Sequence, residues 1–280
     1  MNLTPQIKYL CELYDIVPSR SKGQNFLISE KIYDDIIQAA DLEPHDVVLE
    51  IGPGLGFLTA KLAKKAKRVI AVELDDKLAQ VLRDGLNMHN VKNVEVVNKD
   101  ILTLKAGDLK LEDKNYKVVA NLPYNITSIF LRKFLSEEKA RPESLTLMLQ
   151  KEVAQRIVAK PPKMSMLAVS VQFYSLPKII RQVSKGNFWP SPKVDSAIIK
   201  LDSRPERIEI DERKFFRLAK FGFSSKRRML KNNLAAGLQI NAEEAEAGLE
   251  AVGLNPKIRA EGLTIENWVK LFGELGKFMV

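Results

Sequence analysis

Asn121-Leu122-Pro123-Tyr124 is the stretch of this 280-residue chain whose residue types come nearest to a chemical tool. It follows a short apolar run, Lys117-Val118-Val119-Ala120, that reads as a buried strand. Pro123 fixes its own φ and restricts Leu122, so the corner is stiff. The Asn121 side chain offers a carbonyl acceptor, Pro123 holds the Leu122 carbonyl in place, and Tyr124 offers a ring face. Together these groups suit a planar base bearing an exocyclic amine. Taken alone, Asn-x-Pro reads first as turn chemistry and Tyr124 as a packing residue. Motifs upstream reverse that order.

Val47-Val48-Leu49-Glu50-Ile51-Gly52-Pro53-Gly54-Leu55-Gly56 is a strand, a glycine-rich turn and the start of a helix. Glycines let the backbone approach a ligand closely, and the turn lies at the carboxyl end of a strand. A dinucleotide fingerprint would need a glycine at position 57, which is Phe57, and no Lys-Ser/Thr pair follows for a P-loop. The next strand ends in Glu73, 17 residues after Gly56, where a carboxylate can accept both hydroxyls of a ribose. The strand after that leads into Asn98-Lys99-Asp100, and an acid there can meet the exocyclic amine of an adenine. Each element alone is weak; the ordered set from three successive strand ends is strong.

The elements that must position these groups alternate along the chain. A helix over 29–40 opens on Ser29 as a candidate cap. Strands are predicted at 46–51, 68–72, 94–97, 116–121 and 145–149, with helices at 57–67, 76–86, 127–135 and 152–159. Such alternation implies a parallel sheet with helices on both faces. Met166–Phe173 and Ser196–Leu201 both read as β, joined without a helix, which argues for an antiparallel addition at the sheet's end. Beyond Asp202-Ser203-Arg204-Pro205 the pattern is helical, at 211–222, 225–237, 242–251 and 264–275. Two domains are therefore expected, 1–205 and 206–280.

Bulk composition narrows the classes. With 45% hydrophobic and 28% charged residues the chain is globular in composition. It has no run of about 18 apolar residues that would span a membrane. Residues 1–13 mix Lys8 and Glu12 into their apolar positions and lack a signal-peptide core. One cysteine, Cys11, excludes an internal disulfide, and His45 and His89 carry no ligand spacing, so no metal site is expected. A cytoplasmic setting fits.

The net charge of +9, with a pI near 9.4, points to a polyanionic partner. Eight basic residues and no acidic one lie between Arg213 and Lys231. Phe215, Phe216, Phe221 and Phe223 are interleaved with them, which favours phosphate contact, although some of those rings must be core. Arg217, Lys220, Lys226, Arg227, Arg228 and Lys231 are the candidate phosphate-contacting residues. Lys61, Lys64, Lys65, Lys67 and Arg68 read instead as a solvated helix face.

The ordered set resembles class I S-adenosylmethionine-dependent methyltransferases. With the Asn121–Tyr124 corner it is similar to the ribosomal RNA adenine dimethyltransferase family, nearest its small-subunit branch. Lys22-Gly23-Gln24-Asn25-Phe26-Leu27 matches that family's entry motif. Phe188-Trp189-Pro190-Ser191-Pro192-Lys193-Val194-Asp195-Ser196-Ala197 matches its late loop, and Phe223-Ser224-Ser225-Lys226-Arg227-Arg228-Met229-Leu230 the opening of its helical domain. The similarity covers residues from about 20 to 235; the tail, 236–280, fits by helical character only, and residues 1–20 carry no clear motif.

The resemblance implies a Rossmann-like α/β domain with a mostly parallel seven-stranded sheet ending in an antiparallel strand, followed by a small all-α RNA-binding domain. It implies cofactor contacts at Gln24, Asn25, Leu27, Gly52, Gly54, Gly56, Glu73, Asp100 and Asn121. It also implies a target base sandwiched between Tyr124 and Phe188, with Asn121, Leu122, Pro123, Tyr124 and Phe188 as the catalytic set. The cofactor would be S-adenosylmethionine, the product S-adenosylhomocysteine. The partner would be small-subunit ribosomal RNA or a pre-assembled small subunit, met by a monomer. The rival readings are a large-subunit dimethyltransferase of the antibiotic-resistance type, a DNA adenine methyltransferase, and a non-catalytic RNA-binding assembly factor on the same fold. Decay of the glycine turn or of the corner would mark the last, and both are intact.

Overall fold

The computed structural model describes residues 1–19 and 23–279. Its chain packs as two units, Met1–Ala154 with Leu176–Ser203, and Gln155–Ser175 with Arg204–Val280.

The first unit is built on a seven-stranded sheet. In chain order its main elements are α1 (Thr4–Leu13), β1 (Phe26–Leu27), α2 (Glu30–Ala40), β2 (Val47–Ile51), α3 (Phe57–Ala63) and β3 (Arg68–Glu73). Then come α4 (Asp76–Met88), β4 (Val94–Asn98), β5 (Lys117–Asn121), α5 (Thr127–Arg132), β6 (Ser144–Gln150) and α6 (Lys151–Ile157). The sheet order is β4-β3-β2-β5-β6, completed by β9 (Ser196–Ser203) and β7 (Ser175–Val183). Strands β2 to β6 pair in parallel. β9 runs antiparallel to β6, from Ser144↔Asp202 to Gln150↔Ser196. The strands are apolar because both faces are covered: Val48, Val69, Val119, Met148 and Ile198 are fully buried, packed in one core with Ile36 of α2 and Leu62 of α3. Each such side chain contributes roughly 1.5–3 kcal/mol by leaving water.

This sheet order determines where chemistry can occur. The chain leaves β2 toward β3 and β4 on one side and later returns to β5 and β6 on the other. The crevice outside the carboxyl ends of β2 and β5 is thus a topological switch point. The register brings Ile51 level with Val72, Glu73 with Asn98, and Asn121 with Met148. The glycine turn, the acids after β3 and β4, and the Asn121 corner therefore open onto one edge of the sheet.

In the segment after α6, local structure differs from the sequence expectation. The run 166–173, read as β, forms a helix, α7 (Met166–Gln172). Ser165 caps it by accepting the Ala168 N–H, and Ala168, Val169 and Val171 turn one face inward, so capping and burial override β-branched propensity. The missed strand is β7, whose burial alternates along its length despite Pro177. β7 lies at the sheet's edge, where a missing N–H is tolerated. A two-residue ribbon, β1 with β8 (Phe188–Trp189), stands apart from the main sheet.

The second unit holds α7 and four further helices, α8 (Glu212–Gly222), α9 (Leu230–Leu238), α10 (Ala242–Ala251) and α11 (Ile265–Leu275). Asp211, Asn241 and Thr264 cap three of them through side-chain oxygens. Phe215, Leu234, Leu249, Trp268 and Leu271 are fully buried. Gly222 is required for packing, since a Cβ there would collide with the Trp268 ring and with Leu230. Helix α9 begins five residues later than its sequence pattern predicts. The Asn233 side chain donates to the carbonyls of Gly222 and Ser225, holding the intervening turn out of helical conformation.

Candidate active site

The glycine turn owes its shape to three residues in the left-handed region, Gly52 (φ 63°), Gly54 (φ 57°) and Gly56 (φ 84°). A Cβ at Gly56 would lie 2.7 Å from Leu82 Cδ1 of α4, so this glycine permits α3 to pack closely. Gly54 fronts the Phe26 ring and Gly52 fronts Pro123.

A cavity of about 380 Å³ opens above the switch point. Its walls include Gly23, Gln24, Asn25, Gly52, Gly54, Glu73, Asp100, Asn121 and Pro123. Most of the residues expected to hold a cofactor are thus brought together. Gly56 and Leu27 do not line it: Gly56 caps α3, and Leu27 is 1% exposed, paired with Phe188 across the β1–β8 ribbon. Lys22 lies outside the described residues.

Glu73 is the electrostatic centre of the cavity. It is buried, and its Oε2 accepts the Gly54 N–H at 3.0 Å while Oε1 accepts the Asp75 N–H at 2.9 Å. Burial raises its pKa, and these backbone bonds offset a part of the rise. Each oxygen retains a lone pair for a further donor. Asp75 caps α4 by accepting from Lys77 and Leu78 and takes a bond from Gln24 Nε2 at 3.3 Å, closing the entry segment over this wall. Asp100 Oδ1 accepts the Leu102 N–H at 2.8 Å.

Glu50 lies deeper, 1% exposed, with neither oxygen hydrogen-bonded. Burial pushes its carboxyl up to about 8, and the Glu73 charge adds to the rise. The Thr59 hydroxyl, close by but outside hydrogen-bonding geometry, offsets part of it.

At the far wall the Asn121–Tyr124 corner is rigid, as its sequence implies. The Pro123 carbonyl accepts the Ile126 N–H at 3.2 Å and the Thr127 hydroxyl at 3.4 Å. The Leu122 N–H donates to Met148 O at 3.2 Å. No donor among the described residues is bonded to the Leu122 carbonyl or to the Asn121 side chain, so both acceptors are available. Tyr124 is half-buried, and its hydroxyl sits 2.6 Å from Ser196 Oγ.

Phe188 does not line the cavity. It is 3% exposed and belongs to the core of the first unit. The pairing of β1 with β8 sets Phe188 opposite Leu27. Val72, Leu74, Asp75, Leu78, Lys99, Asn125 and Ile126 are among the lining residues that sequence reasoning did not name as site residues. For Leu74 a signal existed, an apolar residue between two acids at a strand's end; it is 66% exposed.

The basic window divides in the same way. Arg217, Lys220, Lys226, Arg227 and Arg228 are exposed, the last three on the turn before α9. Lys231 is half-buried and paired with Glu246 at 2.6 Å, so its charge is already neutralised. The interleaved rings are all used in packing: Phe215 and Phe216 against Phe173, Phe223 against Trp268, and Phe221 beneath Arg217.

The chain is similar to known proteins over most of its length. A family model described as ribosomal RNA adenine dimethylase matches residues 19–277. A Dehalococcoides mccartyi protein named ribosomal RNA small subunit methyltransferase A is 44% identical over 272 residues, covering 96% of this chain and 92% of its own. One of the same name from Alkaliphilus metalliredigens is 42% identical, covering 96% and 95%. Among solved structures, a dimethyladenosine transferase from Plasmodium falciparum superposes with a TM-score of 0.81 at 27% identity, over 91% of this chain and 98% of that one. The 23S rRNA methyltransferase ErmE gives 0.74 at 30% identity, over 90% and 100%. The parallel sheet with its antiparallel strand is accordingly a class I methyltransferase fold, and the chain belongs to the ribosomal RNA adenine dimethylase family.

Proposed function

We propose that this chain dimethylates the N6 amine of adenines in small-subunit ribosomal RNA, using S-adenosylmethionine and acting as a monomer in the cytoplasm on RNA or a pre-assembled small subunit. The observation that carries the reading is one cavity joining Glu73 and Asp100 to the Asn121–Pro123 corner, in a chain of this family. Its volume of about 380 Å³ suits a nucleoside-sized ligand. The glycine turn leaves room where side chains would intrude, and the buried Glu73 carboxylate suits a ribose diol. Asp100 suits an adenine amine, and Gln24 and Asn25 wall the same space.

The bound cofactor supplies an electrophilic sulfonium methyl and leaves as S-adenosylhomocysteine. The protein's task is to make a poor nucleophile competent, because the N6 lone pair is delocalised into the base. Asn121 Oδ1 and the Leu122 carbonyl accept the two N–H groups in the first transfer and the one remaining N–H in the second. They hold the nitrogen toward tetrahedral geometry and stabilise the positive charge that develops there, which is discharged by loss of a proton to solvent after each transfer. Pro123 fixes both acceptors, which supplies orientation. Tyr124 supplies a stacking face worth roughly 1–3 kcal/mol. The exposed basic residues of the second unit, Arg217, Lys220 and the Lys226–Arg228 turn, contact phosphate.

A small-subunit substrate is supported by relatives of that name at 41–44% identity, above the 30% of the large-subunit enzyme. The test is methyl transfer onto undermethylated small subunits with the modified nucleotides mapped. Dimethyladenosine in small-subunit RNA is expected; labelling confined to large-subunit RNA or to DNA overturns the assignment.

A further inference from the structure

Ser196 has no role in the chemistry described so far, yet it is fully buried and its Oγ lies 2.6 Å from the Tyr124 hydroxyl, 72 residues away in sequence. It opens β9 and stands level with Gln150, the last residue of β6. β6 lies between β5 and β9, so the phenol spans the end of one strand to reach the next. A half-buried phenol requires a partner, and Ser196 is its only one among the described residues. Ser196 is itself held firmly. The neighbouring Asp195 carbonyl accepts the Lys151 N–H at 3.0 Å, and the Asp195 carboxylate accepts the Lys185 N–H at 3.0 Å.

We propose that Ser196 is a positioning residue for base methylation, fixing the tilt of the Tyr124 ring through the hydroxyl–hydroxyl bond. The ring is then anchored at both ends, by the rigid Pro123 corner and by β9. Stacking constrains the distance between ring and base but only weakly their rotation, so a tethered ring fixes the direction from which the amine is presented. The inference rests on the proposed adenine methylation, with Tyr124 as the stacking face.

The test compares Ser196→Ala, Tyr124→Phe and the double variant, measuring kcat and KM for methylation of undermethylated small subunits, cofactor affinity by calorimetry, and Tm. Each single variant should lose roughly 10- to 100-fold in kcat, with cofactor affinity and Tm near those of the parent. The double variant should be no worse than the poorer single, because both remove the same bond. Unchanged kcat in Ser196→Ala, losses that multiply in the double variant, or a kcat loss matched by losses of cofactor affinity and Tm overturns the role. A parent protein that methylates no ribosomal RNA refutes the underlying reading instead, so the two failures are distinguishable.

Discussion

The Gly54 N–H donates to Glu73 Oε2 at 3.0 Å, joining the glycine turn after β2 to the acid that ends β3. One carboxylate thus shapes the turn and faces the cavity. Replacing it should affect the cofactor before the chemistry. Glu73→Ala is expected to weaken S-adenosylmethionine binding by about 10- to 100-fold, the range for losing hydrogen bonds to a charged acceptor. Calorimetry at pH 8 checks this. Because burial raises the Glu73 pKa, affinity in the parent should also fall as pH drops through that raised value and the carboxylate protonates.

Glu50 should govern stability against pH. Its folded-state pKa of about 8 lies above the usual 4.5, so the folded protein binds the extra proton between those values. Stability is then full below about pH 4.5 and is lost as pH rises through about 8. Glu50→Gln keeps the shape without the ionisation. Its Tm should decline less than that of the parent between pH 6 and pH 9, and should exceed it at the alkaline end. Parallel Tm curves would refute this.

Two glycines near α4 should respond oppositely to alanine. Gly56→Ala places a methyl 2.7 Å from Leu82 Cδ1 at a φ of 84°, and should destabilise by roughly 1–3 kcal/mol. Gly85→Ala, inside α4 with nothing within 4 Å of the added carbon, should stabilise by about 0.5–1 kcal/mol. Denaturant unfolding of both distinguishes steric from backbone effects.

Within the basic window, reversing Arg227 and Arg228 to Glu should weaken RNA binding and reduce the salt slope of log K by about two or more. Lys231→Ala should leave the slope nearly unchanged, since that ammonium is already paired with Glu246. Salt titrations of RNA affinity for the three proteins check the distinction. Equal slopes for the parent and the reversal would identify the turn as a solvated face.

Tyr124→Ala should abolish most turnover with cofactor affinity retained, because the role proposed for the ring is to stack on the base and it does not line the cavity. Single-turnover methylation beside calorimetry checks the split. Equal loss of both would identify the ring as structural.

Much of the site was legible because its signals are local. Gly52, Gly54 and Gly56 adopt the conformations that only glycine takes readily, and Pro123 stiffens the corner whatever surrounds it. Strand–helix alternation then implied the parallel sheet, and a parallel sheet brings successive strand ends to one edge. Failures occurred where identity is set by partners. Val169 and Val171 favour strand by type but became helix once Ser165 capped the segment and one face was buried.

The sequence by itself determined the turn, the acids at the strand ends and the stiff corner, since each follows from backbone restrictions within a few residues. Only the tertiary structure decided that Phe188 is core, that Lys231 belongs to Glu246, and that Tyr124 is tied to Ser196. A residue's type states which interactions it can make. Whether an aromatic ring faces water or core, a lysine phosphate or carboxylate, and a phenol solvent or serine depends on which groups lie within a few ångströms. That is set by sheet order and register across tens of residues.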